Sequence, residues 1–168
     1  ERDAEGWFGS VAKAESAASE VVPESRTAST RRTILPAVWN VPLRRNPNFT
    51  GRSEQLSSLH DAFNSGEPGS SVHAVSGLGG VGKTQVATEY AYRYSADYDV
   101  IWWVHSEEPV SLTSDYAGLA TALKLPEAEA VDQCEAVQAV KRWLSENRRW
   151  LLVLDNATDF VAVRDYLP

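Results

Sequence analysis

The chain has 168 residues, of which 43% are hydrophobic, and its formal net charge at pH 7 is −7. This length and apolar content suffice for one globular domain with a core, and the acidic balance argues against a general attraction to nucleic acid. No apolar run approaches the length of a membrane span, and a single cysteine excludes an internal disulfide bond, so we expect a reducing, cytoplasmic location.

The first part of the chain differs in composition from the rest. It is rich in alanine, serine, glutamate and threonine and has no sustained apolar face, so we predict a flexible linker or tail over residues 1–35. Residues 36–168 are predicted to form the folded part. The chain contains no methionine, and we therefore expect it to be a piece of a longer protein.

An extended segment and a helix are predicted next. Three prolines between Ile34 and Arg52 keep the chain extended and disfavour a helix. Ser53 is a candidate cap for the first helix, and Gly66 is a candidate stop just past its end. The apolar face of this helix is predicted to contain Leu56, Leu59, His60 and Phe63.

A glycine-rich motif follows at residues 77–84, which read Gly-Leu-Gly-Gly-Val-Gly-Lys-Thr and match the phosphate loop G-x-x-x-x-G-K-[ST]. Glycines let backbone amides wrap a polyphosphate closely. Lys83 is expected to reach the β- and γ-phosphates, and Thr84 to bind a phosphate-associated Mg²⁺. A glycine-rich turn that matches by chance is the alternative. The candidate phosphate-binding residues are Gly77, Leu78, Gly79, Gly80, Val81, Gly82, Lys83, Thr84 and Gln85.

The flanking sequence suits such a loop, which follows a strand and opens a helix. Val72–Ser76 alternates apolar and polar residues and is predicted to be a short strand. The N–H groups and dipole of the following helix would add to phosphate binding. Its apolar residues recur with helical spacing, at Val86, Ala87, Tyr90, Ala91 and Tyr94.

Two strands and two helices are predicted downstream. Asp99–Val104 and Trp150–Leu154 are apolar runs of the kind found in parallel sheets covered on both faces. Between them, one helix ends at Pro126 and another spans about residues 128–147. Their apolar positions are Leu112, Tyr116, Leu119 and Leu123 in the first, and Val131, Cys134, Val137, Val140 and Leu144 in the second. Cys134 is therefore predicted to be buried, and the alternating elements predict an α/β doubly wound fold.

Asp155 follows the last apolar run. Parallel sheets bind ligands at the carboxyl ends of their strands, so we expect Asp155 to meet the phosphate loop and to hold Mg²⁺ opposite Thr84. A helix cap or turn acid is the alternative. Asn156 stands where many hydrolytic P-loop proteins carry a second acid, and an amide can orient water without acting as a base. The candidate catalytic residues are thus Asp155 and Asn156, with slow hydrolysis expected.

These motifs together resemble the NB-ARC type of STAND nucleotide-binding domain, over about residues 40–168. The resemblance rests on Asn46–Glu54, the phosphate loop, the strand with Trp102 and Trp103, and Leu151–Asn156. It is greatest for bacterial regulators in which tetratricopeptide repeats follow this domain. The implied fold is the parallel sheet with flanking helices of AAA+ ATPases, of which this chain would be the N-terminal part, truncated after the third of five strands.

The resemblance also implies a site and a function. Adenine and ribose would be flanked by Phe49, Thr50, Gly51 and Arg52. ADP, or ATP with Mg²⁺, would bind, and exchange of ADP for ATP would permit self-association and signalling. The implied partners are the nucleotide and other proteins, reached through regions outside this chain. A turnover P-loop enzyme, such as a kinase or motor ATPase, is the alternative, and GTP is disfavoured because Asn156–Asp159 lacks the lysine of a guanine-reading motif.

Overall fold

The computed structural model describes residues 35–65, 82–157 and 160–168, all within one unit of the chain, residues 32–168. The predicted tail, up to residue 34, lies outside these ranges. So do the predicted strand Val72–Ser76, the stop residue Gly66 and the loop residues Gly77–Val81.

The described strands form one parallel sheet. In chain order they are β1 (Val38–Trp39), β2 (Val100–His105) and β3 (Trp150–Asp155). Strand β2 lies between the other two, and it pairs with β3 from Val100 opposite Trp150 to His105 opposite Asp155. Both predicted apolar runs are therefore strands. The short strand β1 was not predicted, and it lies in the segment that the prolines were expected to keep extended.

Helices flank this sheet, as an α/β P-loop NTPase fold requires. They are α1 (Ser53–Ser65), α2 (Lys83–Arg93), α3 (Pro109–Ala122), α4 (Gln133–Glu146) and α5 (Phe160–Arg164). Short 3₁₀ turns cover Ser95–Asp97 and Pro126–Glu129. None of the helices in the described part of the chain combines the length and apolar character that a membrane crossing needs.

Side chains alternate along the central strand between two apolar clusters. Val100 and Val104 of β2 belong to a cluster with α3 and α4, whereas Ile101 and Trp103 belong to a second cluster with α1 and α2. This period of two is what a strand imposes, since successive side chains point to opposite faces. The sheet is thus covered on both faces, which explains why its strands read as continuous apolar runs.

Two predicted helix starts need correction. Helix α1 begins at Ser53 itself, and its first turn is closed by a bond from the Leu56 N–H to the Arg52 carbonyl at 3.1 Å. Arg52 therefore occupies the position predicted for Ser53. Helix α4 begins at Gln133 instead of residue 128, because Asp132 caps it by accepting a hydrogen bond from the Cys134 N–H at 2.8 Å.

The prediction that Cys134 is buried was wrong. Cys134 is exposed, and so is Val131, because Val131 precedes the helix and Cys134 lies in its first turn. The buried stripe of α4 starts only at Ala136 and Val137 and continues to Leu144. A hydrogen bond to the Asp132 carboxylate, together with its negative charge, raises the pKa of the Cys134 thiol.

Candidate functional site

Helix α2 and strand β3 meet through Thr84 and Asp155. Thr84 is the second residue of α2 and Asp155 is the last residue of β3. The Thr84 hydroxyl donates to the Asp155 carboxylate, with 3.2 Å between Oγ1 and Oδ1. Both residues are partly buried. The structure therefore places the hydroxyl and the acid that were selected from distant parts of the sequence at one point.

The entry to α2 depends on the backbone of Gly82. Gly82 has φ 86° and ψ 27°, in the left-handed region that favours glycine. Its carbonyl accepts the first helical hydrogen bond, from the Val86 N–H at 3.0 Å. The helix then begins with Lys83, Thr84 and Gln85, all partly buried. The N–H groups of a first helical turn have no partner within the helix, so this end of α2 suits an anion.

The segment Phe49–Arg52 reaches the same end of α2. Phe49 packs against the cluster that contains residues of α1 and α2. Gly51 has φ 83°, another left-handed position. The Arg52 guanidinium nitrogens lie 3.9 Å from the position that a Cβ at Gly82 would occupy. Arg52 is thus beside the turn that leads into Lys83, while Thr50 is exposed.

Besides the pairing of β1 with β2, side-chain hydrogen bonds connect the segment before Phe49 to the sheet and to α2. The Asn40 side chain donates to the Trp103 carbonyl at 3.0 Å and accepts from the Trp103 N–H. The Tyr92 hydroxyl of α2 donates to the Leu43 carbonyl at 3.2 Å. Arg45 forms a two-bond contact with Glu89 of α2, at 2.8 and 3.0 Å. The chain leading to Phe49–Arg52 therefore has fixed contacts with α2.

Glu89 is a buried acid that the sequence analysis did not select. Burial raises the pKa of its carboxyl group, but the hydrogen bonds and charges of Arg45 and Arg93 outweigh that effect and leave the pKa below its ordinary value. Glu89 is therefore ionised at neutral pH. The same contact raises the pKa of Arg45, chiefly through its hydrogen bond to Glu89.

His105 ends β2 directly beside Asp155. These two residues are register partners, and the Ser106 N–H donates to the Asp155 carbonyl at 2.8 Å. Asp115 of α3 accepts from the His105 backbone N–H at 2.7 Å and contacts its Nδ1 at 2.9 Å. Sequence reasoning missed Asp115, because no local motif links a helix residue to the end of the preceding strand.

Asn156, the second catalytic candidate, directly follows Asp155. It is exposed, has φ 59°, and its backbone N–H contacts Asp155 Oδ1 at 3.2 Å. Asparagine adopts this left-handed conformation more readily than most residues. The backbone of Asn156 thus helps to orient the carboxylate that also contacts Thr84.

The donor atoms at the α2–β3 junction suit a divalent cation. A hydroxyl oxygen and a carboxylate oxygen lie together there, and hard cations such as Mg²⁺ prefer oxygen ligands and usually share a site with phosphates and water. Within the described ranges, no group of three or more histidine, cysteine, aspartate or glutamate residues could hold a metal by itself. The junction therefore fits a Mg²⁺ ion that arrives with a phosphate ligand.

The comparisons with known proteins agree with this geometry. A family profile described as "AAA ATPase domain" matches residues 48–163. The chain is similar to "Regulatory protein AfsR" of Streptomyces coelicolor, with 32% identity over 161 residues, which covers 89% of this chain and 16% of that protein. It is also similar to a "Nucleotide-binding leucine-rich repeat (NLR)-like protein" of Hyaloscypha variabilis, with 30% identity over 127 residues, 72% of this chain and 13% of that protein.

The chain thus spans only about a seventh of the length of these relatives. A second protein named AfsR, from Streptomyces griseus, shares 32% identity over 132 residues, which is 73% of this chain and 13% of that protein. No solved structure matches the chain.

Proposed function

The chain belongs to the AAA ATPase domain family, and from this premise we propose that it is the ATP- and ADP-binding module of a regulatory switch protein of the NB-ARC type. The observation that carries the proposal is the contact between Thr84 Oγ1 and Asp155 Oδ1 at the start of α2. Two residues chosen from separate motifs of a phosphate site lie together at a helix N-terminus.

In this proposal the start of α2 binds the polyphosphate. Backbone amides from Gly77 to Gln85 surround the phosphates, and Lys83 supplies a positive charge to the β- and γ-phosphates. Residues 77–81 of this loop are assigned from the sequence motif alone. Gly82 supports the proposal because its left-handed backbone is the kind of conformation that lets a loop turn its N–H groups toward an anion.

Thr84 and Asp155 would hold Mg²⁺, Thr84 directly and Asp155 through water. When bound, the ion would neutralise part of the charge that develops on the phosphates during transfer. The protein's own contribution is orientation. The bond from the Asn156 N–H to Asp155 and the bond from Thr84 to Asp155 orient the carboxylate.

Adenine and ribose would lie against Phe49, Thr50, Gly51 and Arg52. The support for this assignment is the position of Arg52 beside Gly82, which places the segment at the same helix end as Lys83. A nucleotide with its phosphates at the start of α2 would therefore extend its base toward this segment.

A regulatory role is favoured by the names of the relatives, two of which are regulatory proteins. We propose that ADP holds a resting state and that ATP shifts the population toward a signalling state by contacts that only the γ-phosphate makes. Asn156 stands where a water-activating acid would be needed, so hydrolysis would be slow. Self-association, a tetratricopeptide-repeat region, a bacterial source and a cytoplasmic location belong to the same proposal for the whole protein.

The nucleotide that co-purifies with the full-length protein tests this function. We expect retained ADP, identified by mass spectrometry after denaturation, and single-turnover ATP hydrolysis well below about 1 s⁻¹, the lower end of the range for kinases. An empty site with turnover above that rate would instead indicate a turnover P-loop enzyme.

Replacing Asp155 with asparagine is expected to remove most of the Mg²⁺ dependence of nucleotide binding. The amide keeps the shape and can still contact Thr84, but it lacks the negative charge that a divalent cation prefers. Isothermal titration with ATP, with and without Mg²⁺, would measure the change. We expect Mg²⁺ to strengthen binding about tenfold in the original protein, equivalent to ~1.4 kcal/mol, and less than about twofold in the variant. An unchanged Mg²⁺ effect would remove Asp155 from the ion site.

A further inference from the structure

Glu89 is an ionised acid buried within the helix that begins at the proposed phosphate site. Its side chain is 4% exposed, and it contacts Arg45 at 2.8 Å and Arg93 at 3.1 Å. Removing a carboxylate from water is costly unless charged hydrogen-bond donors replace the lost water. The arginines supply three hydrogen bonds to the two carboxylate oxygens.

The two arginines differ in what they connect. Arg93 lies one turn after Glu89 on the same helix, so that pair is local and cannot position another segment. Arg45 comes from the extended segment, 44 residues earlier, and bonds through Nε and Nη2 to both oxygens. A two-bond arginine–carboxylate contact fixes direction as well as distance. Of these two arginines, Arg45 is the one that ties the extended segment to α2, and its two-bond geometry gives that connection a defined orientation.

The chain between Arg45 and Arg52 is short and partly ordered by its own hydrogen bonds. The Phe49 N–H donates to the Asn46 carbonyl at 3.2 Å, and the Asn48 N–H donates to the Asn46 side chain at 3.0 Å. The segment then reaches Gly82 through Arg52. Arg45 therefore bonds to α2 just before the turn that leads to Phe49–Arg52.

We propose that Arg45 and Glu89 are positioning residues that set the location of Phe49–Arg52 relative to the start of α2. The inference rests on the proposed function. It adds that the base and ribose half of the nucleotide binds more tightly while this contact holds the segment in place. Neither residue needs to touch the nucleotide, since both act through the backbone that they connect.

The test compares two ligands that share phosphates but differ in the base and ribose. We would titrate ATP and inorganic tripolyphosphate, each with Mg²⁺, into the full-length protein and its Arg45→Gln variant. We expect the variant to bind ATP about tenfold more weakly, an effect within the range for a lost charge-assisted hydrogen bond, and to bind tripolyphosphate within about twofold of the original. Arg45→Lys, which keeps the charge without the two-bond geometry, should recover only part of the ATP affinity.

Arg44→Gln is the matched control, because Arg44 is the neighbouring arginine on the same segment and is exposed. It should leave both affinities unchanged. If Arg45→Gln lost affinity for both ligands equally, or for neither, the inference would be overturned. The proposed nucleotide site itself would not be contradicted by either result. If the original protein binds neither ligand, the proposed function itself fails. Glu89 keeps its contact with Arg93 in the Arg45→Gln variant, and thermal unfolding would verify that the variant folds.

Discussion

Replacing Lys83 with alanine is expected to weaken ATP binding about tenfold to a hundredfold. Lys83 is the first residue of α2 and directly precedes Thr84, whose hydroxyl contacts Asp155. A charge-assisted hydrogen bond to a phosphate contributes roughly 1.5–3 kcal/mol, which corresponds to that loss of affinity. Equilibrium titration of full-length protein with ATP and Mg²⁺ would measure it.

The control for this substitution is Lys141→Ala, which removes a lysine from α4. The Lys141 ammonium donates to the Asp165 carbonyl at 2.6 Å, so this variant also loses one lysine contact, but at a different part of the fold. We expect its ATP affinity to stay within about twofold of the original. Equal affinities for the Lys83 and Lys141 variants would show that Lys83 is not part of the phosphate site.

Replacing Trp103 with alanine is expected to destabilise the fold by about 3–5 kcal/mol, the usual cost of deleting a buried aromatic side chain. Trp103 is 1% exposed and packs in the cluster that includes Leu56 of α1 and Val86 of α2. A loss of this size is a large fraction of a typical domain's stability. Chemical denaturation, followed by far-ultraviolet circular dichroism, would show a lower midpoint.

Trp103→Phe is an intermediate test of packing at the same position. The buried Trp103 Nε1 finds no hydrogen-bond partner in the part of the chain that the structure describes, so phenylalanine keeps most of the ring and loses no such bond. We expect it to cost clearly less than Trp103→Ala, because the phenyl ring fills part of the space that alanine leaves empty. Val131→Ala is the surface control, since Val131 is fully exposed. Its free energy of unfolding should lie within about 0.5 kcal/mol of that of the original protein. A Trp103→Ala midpoint equal to this control would contradict the assigned core.

The elements that the sequence predicted well are those with an unambiguous local pattern. Strands β2 and β3 are continuous apolar runs, and the stripe of α3 at Leu112, Tyr116 and Leu119 is buried as expected. The spacing of apolar residues indicates which face of a helix is buried, but it does not show at which residue the helix begins. Cys134 was misplaced for this reason, because the apolar spacing extends back beyond Asp132, the residue that caps the helix.

The residues of the candidate site also differ in whether a local sequence pattern identifies them. Thr84 and Asp155 could be selected because each belongs to a motif, and parallel strands bring their carboxyl ends to one edge. Glu89 and Asp115 could not be selected, since their partners are 44 and 10 residues away in sequence and no spacing rule links them. A charged residue on a helix is usually exposed. Glu89 is a buried exception, and its contact with Arg45 is tertiary and therefore not visible in the local sequence.

The exposure of Cys134 gives the domain a natural attachment point for a fluorophore. The thiol lies at the start of α4, so a dye there would be outside the core and away from the α2–β3 junction in sequence. Because Asp132 raises the thiol pKa, maleimide coupling should proceed faster under mildly alkaline conditions, where more thiolate is present. Energy transfer between this dye and a fluorescent nucleotide analogue could then follow loading and release in real time.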